Sequence, residues 1–280
     1  PVPAGRDDVE GLSADGSGGA EQDNGAHRAS LGRRRRHRLG ACATIGGMAL
    51  ASSPPPGTPV PPLITDWAAR RGRDVAELVW RNELGGVTAR LVADGTGDLF
   101  AKWSPVDLEP EAERMSWLSG RHPSPRVFDF EEGDGEWLLV TGALTGTSAV
   151  SDRWKAEPDR AAGAIGEGLA RLHSLDPSIS MFGAVDWVGD VDDIDLLVIA
   201  HGDACAPNTI VGDDGSFVGH VDLGSLGVAD RWADLAIASW SLEWNFGPGH
   251  EQAFWDAYGI APDPERIAQY RALWGDAPTS

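Results

Sequence analysis

The sequence predicts an α+β fold in two lobes, a small β-rich lobe followed by a mostly helical one. Three observations carry that prediction. Between residues 63 and 141 the apolar residues fall in short strand-like runs separated by turn chemistry. From residue 161 onward they recur at helical spacing, as with Ile165, Leu169 and Leu172. The chain has 280 residues, enough for two lobes with a core within and between them.

Residues 1–58 differ in kind from the rest of the chain. Residues 1–30 are rich in Gly, Asp, Ser and Ala without periodicity, and Arg33-Arg34-Arg35-Arg36-His37-Arg38 comes next. Such a segment buries too little apolar surface to offset its ordering entropy, so 1–58 is expected to be a disordered tail and linker. Its basic run followed by residues 39–51 resembles a signal peptide, although the apolar stretch is Gly-rich. The preferred alternative is upstream sequence read through in frame, with Met48 the natural start. Prolines 54, 55, 56, 59, 61 and 62 make a stiff connector.

The small lobe then reads as a helical segment over 64–77, strands at 89–93 and 99–103 around Asp94-Gly95-Thr96-Gly97-Asp98, a helix over 108–119 and a strand over 136–141. The helix carries Leu108, Ala112, Met115 and Leu118 on one face. Lys102 stands out, because the chain has two lysines against 21 arginines. A compact ammonium in mid-strand suits nucleotide phosphates, with a solvated strand cation as the plain alternative. Gly85 and Gly86 precede the first strand and let backbone N–H groups approach anionic oxygens.

The helical lobe holds the densest signal. His201-Gly202-Asp203-Ala204-Cys205-Ala206-Pro207-Asn208 is followed by two short strands over 209–221 with an Asp214-Gly215 turn, then Val221-Asp222-Leu223-Gly224. Transfer of a phosphoryl group from a nucleotide needs a positioned hydroxyl, Mg²⁺ against the phosphates and neutralised charge. Asp203 can accept the hydroxyl proton, while Asn208 and Asp222 offer hard oxygen ligands to Mg²⁺. The hairpin folds the chain back, so the three converge.

This ordered set, with Gly227-Val228-Ala229-Asp230-Arg231-Trp232-Ala233-Asp234-Leu235-Ala236 after it, resembles the aminoglycoside O-phosphotransferases of the 3'/3'' type, antibiotic kinases with the protein-kinase-like two-lobed fold. The resemblance spans roughly residues 63–274. It implies transfer of the γ-phosphate of ATP, or of GTP, to a drug hydroxyl with Mg²⁺, giving resistance. By the same resemblance Glu111 pairs with Lys102, with Glu109 and Glu113 as rivals. Thr141 and Ala143 supply backbone groups to the purine edge, and Asp234 bonds back onto the catalytic loop. Residues 59–143 become the nucleotide-binding lobe, and 144–280 the catalytic and substrate-binding lobe.

The sequence departs from that pattern in three places. Only 27 residues separate His173 from His201, where relatives carry a longer, mostly helical insert that walls the drug site. Ser225 stands where an Arg usually follows the second metal motif. The C-terminus lacks the usual acidic-aromatic tail, leaving Glu243, Asp256 and Asp263 as acids that could meet a cationic sugar. Two further readings therefore stay open: a kinase of another small amine or alcohol, and an internally deleted nucleotide-binding relative with little turnover.

The net charge of −20 argues against a nucleic-acid partner and fits a polycationic substrate, or simply a soluble surface. Residues 1–47 hold seven Arg and six acids, so the rest of the chain carries −21. No apolar run is long enough to span a membrane. Two cysteines, Cys42 and Cys205, make no disulfide framework, and with these features a cytoplasmic location is expected. The oligomeric state stays open.

Overall fold

A computed structural model describes residues 51–52, 54–82 and 84–276. The expectations for residues 1–50, including the tail, Met48 and the state of Cys42, lie outside the described residues.

The β-rich lobe is one antiparallel sheet crossed by two helices. It begins with β1 (Ala51–Ser52), α1 (Pro62–Arg70), β2 (Asp74–Asn82), β3 (Val87–Val92) and β4 (Leu99–Ser104). Next come α2 (Glu109–Leu118), β5 (Val127–Gly133) and β6 (Glu136–Gly142), giving the sheet order β1-β2-β3-β4-β6-β5. The helix expected over 64–77 therefore ends early. Gly72 takes φ 62°, a left-handed conformation that terminates α1, and Val75, Leu78 and Trp80 then pair with β3 as a strand. Along β3 burial alternates, with Val87, Ala89 and Leu91 facing inward onto Ile64 and Trp67 of α1. Because β6 inserts between β4 and β5, Lys102 lies opposite Thr88 on one side and Leu139 on the other.

The second lobe contains β7 (Thr147–Ser148), α3 (Asp152–Lys155), α4 (Pro158–His173), β8 (Leu197–Ala200), β9 (Thr209–Val211), β10 (Phe217–His220) and β11 (Gly227–Asp230). It ends in α5 (Trp232–Phe246), α6 (Glu251–Tyr258) and α7 (Pro264–Asp276). β9 and β10 form the expected hairpin, its turn held by Gly215 at φ 83°. Small residues on α4 let α6 approach closely: a Cβ on Gly166 would stand 2.3 Å from Phe254 O. The core of this lobe gathers Ile165 and Leu169 with Trp232, Leu242 and Phe254.

A separate apolar cluster joins the lobes. Leu108, which precedes α2, and Met115 and Leu118 of α2 pack with Leu139 of β6 and with Leu172, Ile199 and Leu223 of the second lobe. At roughly 1.5–3 kcal/mol per fully buried aliphatic side chain, this cluster binds α2 firmly to the second lobe. Residues 174–196, by contrast, hold a single 3₁₀ turn, Pro177–Ile179, and leave Ile179, Met181, Ile194 and Leu196 exposed.

Candidate active site

The sheet, α2 and the β9–β10 hairpin enclose a cavity of about 610 Å³. Lys102, Glu111, Asn208 and Asp222 all line it, with Thr141 on the wall formed by β6. Lys102 Nζ donates to Glu111 Oε2 and to Asp222 Oδ1, each at 2.7 Å. Burial alone would depress the Lys102 ammonium, but the Asp222 and Glu111 carboxylates outweigh it and raise its pKa, so the lysine stays charged. Burial pushes the Glu111 carboxyl upward, against the pull of Lys102. Helical geometry decides among the three acids of α2. Glu111 shares the inward face with Met115 and is 2% exposed, whereas Glu109 and Glu113 face solvent.

Asp222 has φ 58°, in the left-handed region that a non-glycine residue rarely adopts. Such strain costs on the order of 1–3 kcal/mol and persists only where surrounding contacts enforce it. Here the Lys102 ion pair and the buried neighbour Leu223 do so.

The catalytic loop is held from several sides. Asp234 Oδ2 accepts the His201 N–H at 2.6 Å and Oδ1 accepts the Gly202 N–H at 2.9 Å, so Asp234 does bond back onto the loop. Burial works against ionising Asp234, yet the hydrogen bond from His173 and the backbone donors keep its pKa lowered. His201 is kept neutral by burial. Its partners fix the tautomer: Nε2–H donates to Val221 O at 3.0 Å and Nδ1 accepts the Asp203 N–H at 3.3 Å. One imidazole thus ties the loop carrying Asp203 to the strand end carrying Asp222. The Asn208 amide donates to Asp203 O at 2.9 Å and to Asp203 Oδ2 at 3.2 Å.

Those bonds bear on Mg²⁺. With its amide nitrogen committed to Asp203, Asn208 has its carbonyl oxygen left as a hard donor, and it shares the cavity wall with the Asp222 carboxylate. No group of three or more His, Cys, Asp or Glu among the described residues is arranged to hold an ion. Mg²⁺ sites take one or two carboxylates and complete the shell with phosphate oxygens and water. The donor set therefore fits.

Six expected residues sit differently. Gly85 and Gly86 form the β2–β3 turn, and their N–H groups are engaged inside it, by Asn82 O at 3.2 Å and Asn82 Oδ1 at 2.7 Å. Gly86 lines the cavity, and a Cβ there would meet Trp103 O at 3.1 Å, so its role is close approach. Gly85 is absent from the lining. Ala143 is absent too, and its N–H already donates to Asp98 O at 3.1 Å. Glu243 and Asp256 are exposed and outside the cavity, Asp256 accepting from Gln252 at 2.7 Å. Asp263 caps α7 through the Glu265 and Arg266 N–H groups. Sequence reasoning missed Asn82, which organises the turn, and Trp187, which reaches the catalytic loop; a lone Trp in an acidic segment carries no periodic signal.

The fold agrees with the comparisons. Residues 85–191 and 187–270 match the phosphotransferase enzyme family, and the chain belongs to it. The two matched stretches overlap at residues 187–191. The chain is 32% identical to streptomycin 3''-kinase of Streptomyces griseus over 81% of its own length and 100% of that protein. It is 33% identical to an aminoglycoside 3'-phosphotransferase of Streptomyces fradiae over 63% of its length and 84% of the relative. Among solved structures, an aminoglycoside-3'-phosphotransferase of type VIII superposes with TM-score 0.60 at 28% identity, covering 74% of this chain and 97% of that one. Aminoglycoside phosphotransferase APH(3'')-Id from Streptomyces rimosus, in complex with ADP and streptomycin, superposes with TM-score 0.58 at 26% identity over 75% and 96%. The chain thus has the protein-kinase-like two-lobed α+β fold.

Proposed function

We propose that this chain transfers the γ-phosphate of ATP to a hydroxyl of an aminoglycoside and so confers resistance to it. The observation that carries the reading is Lys102 bridging Glu111 and Asp222 in one cavity with Asn208. Relatives named for streptomycin and 3'-phosphotransfer, and a neighbour with ADP bound, support the donor and the acceptor class.

In the reaction the acceptor oxygen forms a bond to the γ-phosphorus, the bond to the ADP oxygen breaks, and the hydroxyl proton passes to the Asp203 carboxylate. Lys102 neutralises the phosphates, and Glu111 keeps Lys102 in place. Asn208 and Asp222 would hold Mg²⁺, which when bound neutralises charge developing on the transferring phosphoryl group. His201 and Asp234 fix the loop that presents Asp203. Residues 59–143 form the nucleotide lobe and 144–280 the catalytic lobe. No helix among the described residues is long and apolar enough to cross a membrane, and a cytoplasmic site of action, where ATP is supplied, agrees with that.

The test is ADP release by the purified chain with ATP or GTP, with and without Mg²⁺, across streptomycin and aminoglycosides bearing a free 3'-hydroxyl. Drug-dependent release with an ATP preference is expected. Absence of drug-dependent release across the panel overturns the reading. A second reading, slow turnover by a relative with a reduced drug wall, is favoured by the 3₁₀ turn and exposed apolar side chains of residues 174–196. It predicts a nucleotide-induced rise in melting temperature without efficient turnover of any drug.

A further inference from the structure

We propose that Trp187 is a positioning residue for phosphoryl transfer, acting through the Gly202 carbonyl that precedes Asp203. The proposal rests on the kinase reading above. It gives the shortened segment 174–200 a task in building the site.

The Trp187 indole N–H donates to Gly202 O at 2.8 Å. The same peptide unit continues into the Asp203 N–H, which donates to His201 Nδ1 at 3.3 Å. The plane that orients the Asp203 Cα is therefore gripped on its carbonyl side by Trp187 and on its N–H side by His201. Gly202 has φ 77°, which glycine adopts freely, and a Cβ there would stand 2.2 Å from Ser225 O, so the loop packs tightly against residue 225 at a position only glycine fits. Further anchors are Asp234 and Ser241 on α5, the latter accepting the Ala206 N–H at 2.9 Å, the Val221 carbonyl, and the Ser148 hydroxyl of β7, which donates to Pro207 O at 2.9 Å. Trp187 grips from the segment preceding β8.

Trp187 is itself fixed. Its ring meets Trp274 of α7 edge-on, with centroids 4.9 Å apart and planes at 86°. That contact orients the N–H toward Gly202 and links α7 to the loop. A base displaced by about 1 Å can lose ~10²-fold in rate, and loss of one of two grips on a buried peptide displaces it by less. A fall in kcat of roughly tenfold is the expected scale.

The experiment replaces Trp187 with Phe, and separately with benzothienylalanine, which keeps the ring shape but has sulfur in place of the N–H. Both variants are expected to lose about tenfold in kcat while the nucleotide KM stays within about twofold, and their Asp203 amide is expected to exchange with solvent about tenfold faster. A benzothienyl variant with wild-type kcat and exchange overturns the proposal. So does a nucleotide KM that rises as much as kcat falls, since that marks general loss of packing. If the wild-type chain phosphorylates no aminoglycoside, the kinase reading fails by itself. The exchange comparison still decides on Trp187: equal Asp203 protection in wild type and benzothienyl variant overturns its positioning role.

Discussion

At Lys102 one ammonium faces two carboxylates, and that imbalance makes the residue both a functional and a structural element. Replacing it with Met removes the cation proposed for the phosphates and leaves Glu111, 2% exposed, as a buried acid beside Asp222. Removing one partner of a buried pair costs about 3–5 kcal/mol, whereas replacing both with apolar groups is often neutral. Lys102→Met should therefore lower the melting temperature sharply and abolish turnover. Adding Glu111→Leu should restore most of the stability and none of the activity. A double variant as unstable as the single one would show that the pair is not the unit. Asp203→Asn tests the base: kcat should fall ~10²–10⁴-fold with nucleotide affinity nearly unchanged, as read by steady-state kinetics and nucleotide titration. The convergence of Asp203, Asn208 and Asp222 was legible in the sequence because a loop followed by a hairpin returns the chain on itself. Glu111 could be chosen among three acids once its helical face was known. The engaged N–H groups of Gly85, Gly86 and Ala143 were not legible, since they depend on Asn82 and Asp98 across a turn and a strand.

Elements show the same division between local and non-local information. The β9–β10 hairpin arises from its Asp-Gly turn, and α2 from its apolar face. The helix expected over 64–77 failed because Gly72 stops it, and because strand pairing with β3 claims residues 74–82. The pairing of α4 with α6 was likewise hidden, since it depends on what faces Gly166. There propensity and packing oppose each other. Ala exceeds Gly in a helix interior by about 1 kcal/mol. A Cβ on Gly166 would, however, meet Phe254 O at 2.3 Å and Ala257 Cβ at 3.1 Å, both on a packed helix. Overpacking of that kind costs typically ~1–3 kcal/mol and backbone atoms yield least, so packing wins. Gly166→Ala is expected to lower thermal stability. A variant as stable as wild type would mean that α6 shifts freely, and that the close approach is incidental.

Across the whole molecule, buried histidines set the response to acid. His122 Nε2 and His220 Nδ1 share a hydrogen bond of 3.0 Å in stacked rings, so one proton serves both. His201 meets His220 edge-on at 5.3 Å and Phe217 covers the other side, with Arg171 over the Phe217 ring. Burial, reinforced by the neighbouring His201, lowers the His122 pKa to about 3, and burial places that of His220 well below its ordinary value. An unfolded histidine titrates near ~6.5, so between pH 6.5 and 5 the unfolded chain binds protons that the folded chain refuses. Their contribution is therefore fully present above pH 6.5 and declines as the pH falls. Over that window the loss is about 2 kcal/mol for one histidine and roughly 2–4 kcal/mol for the coupled pair. The opposing effect is relief of self-repulsion in a chain of net charge −20 as the pH approaches its isoelectric point near 4.6. That relief needs carboxylates to protonate, which begins mostly below about pH 5. The histidines should win in the window, and the melting temperature should drop by roughly 5–10 °C from pH 7 to pH 5, given about 2–4 °C per kcal/mol for a domain of this size. His122→Gln can still donate to His220 while removing one titrating ring, so its melting temperature should fall less steeply over the same range. Parallel pH profiles for variant and wild type, or a flat wild-type profile, would show that acid sensitivity is seated elsewhere.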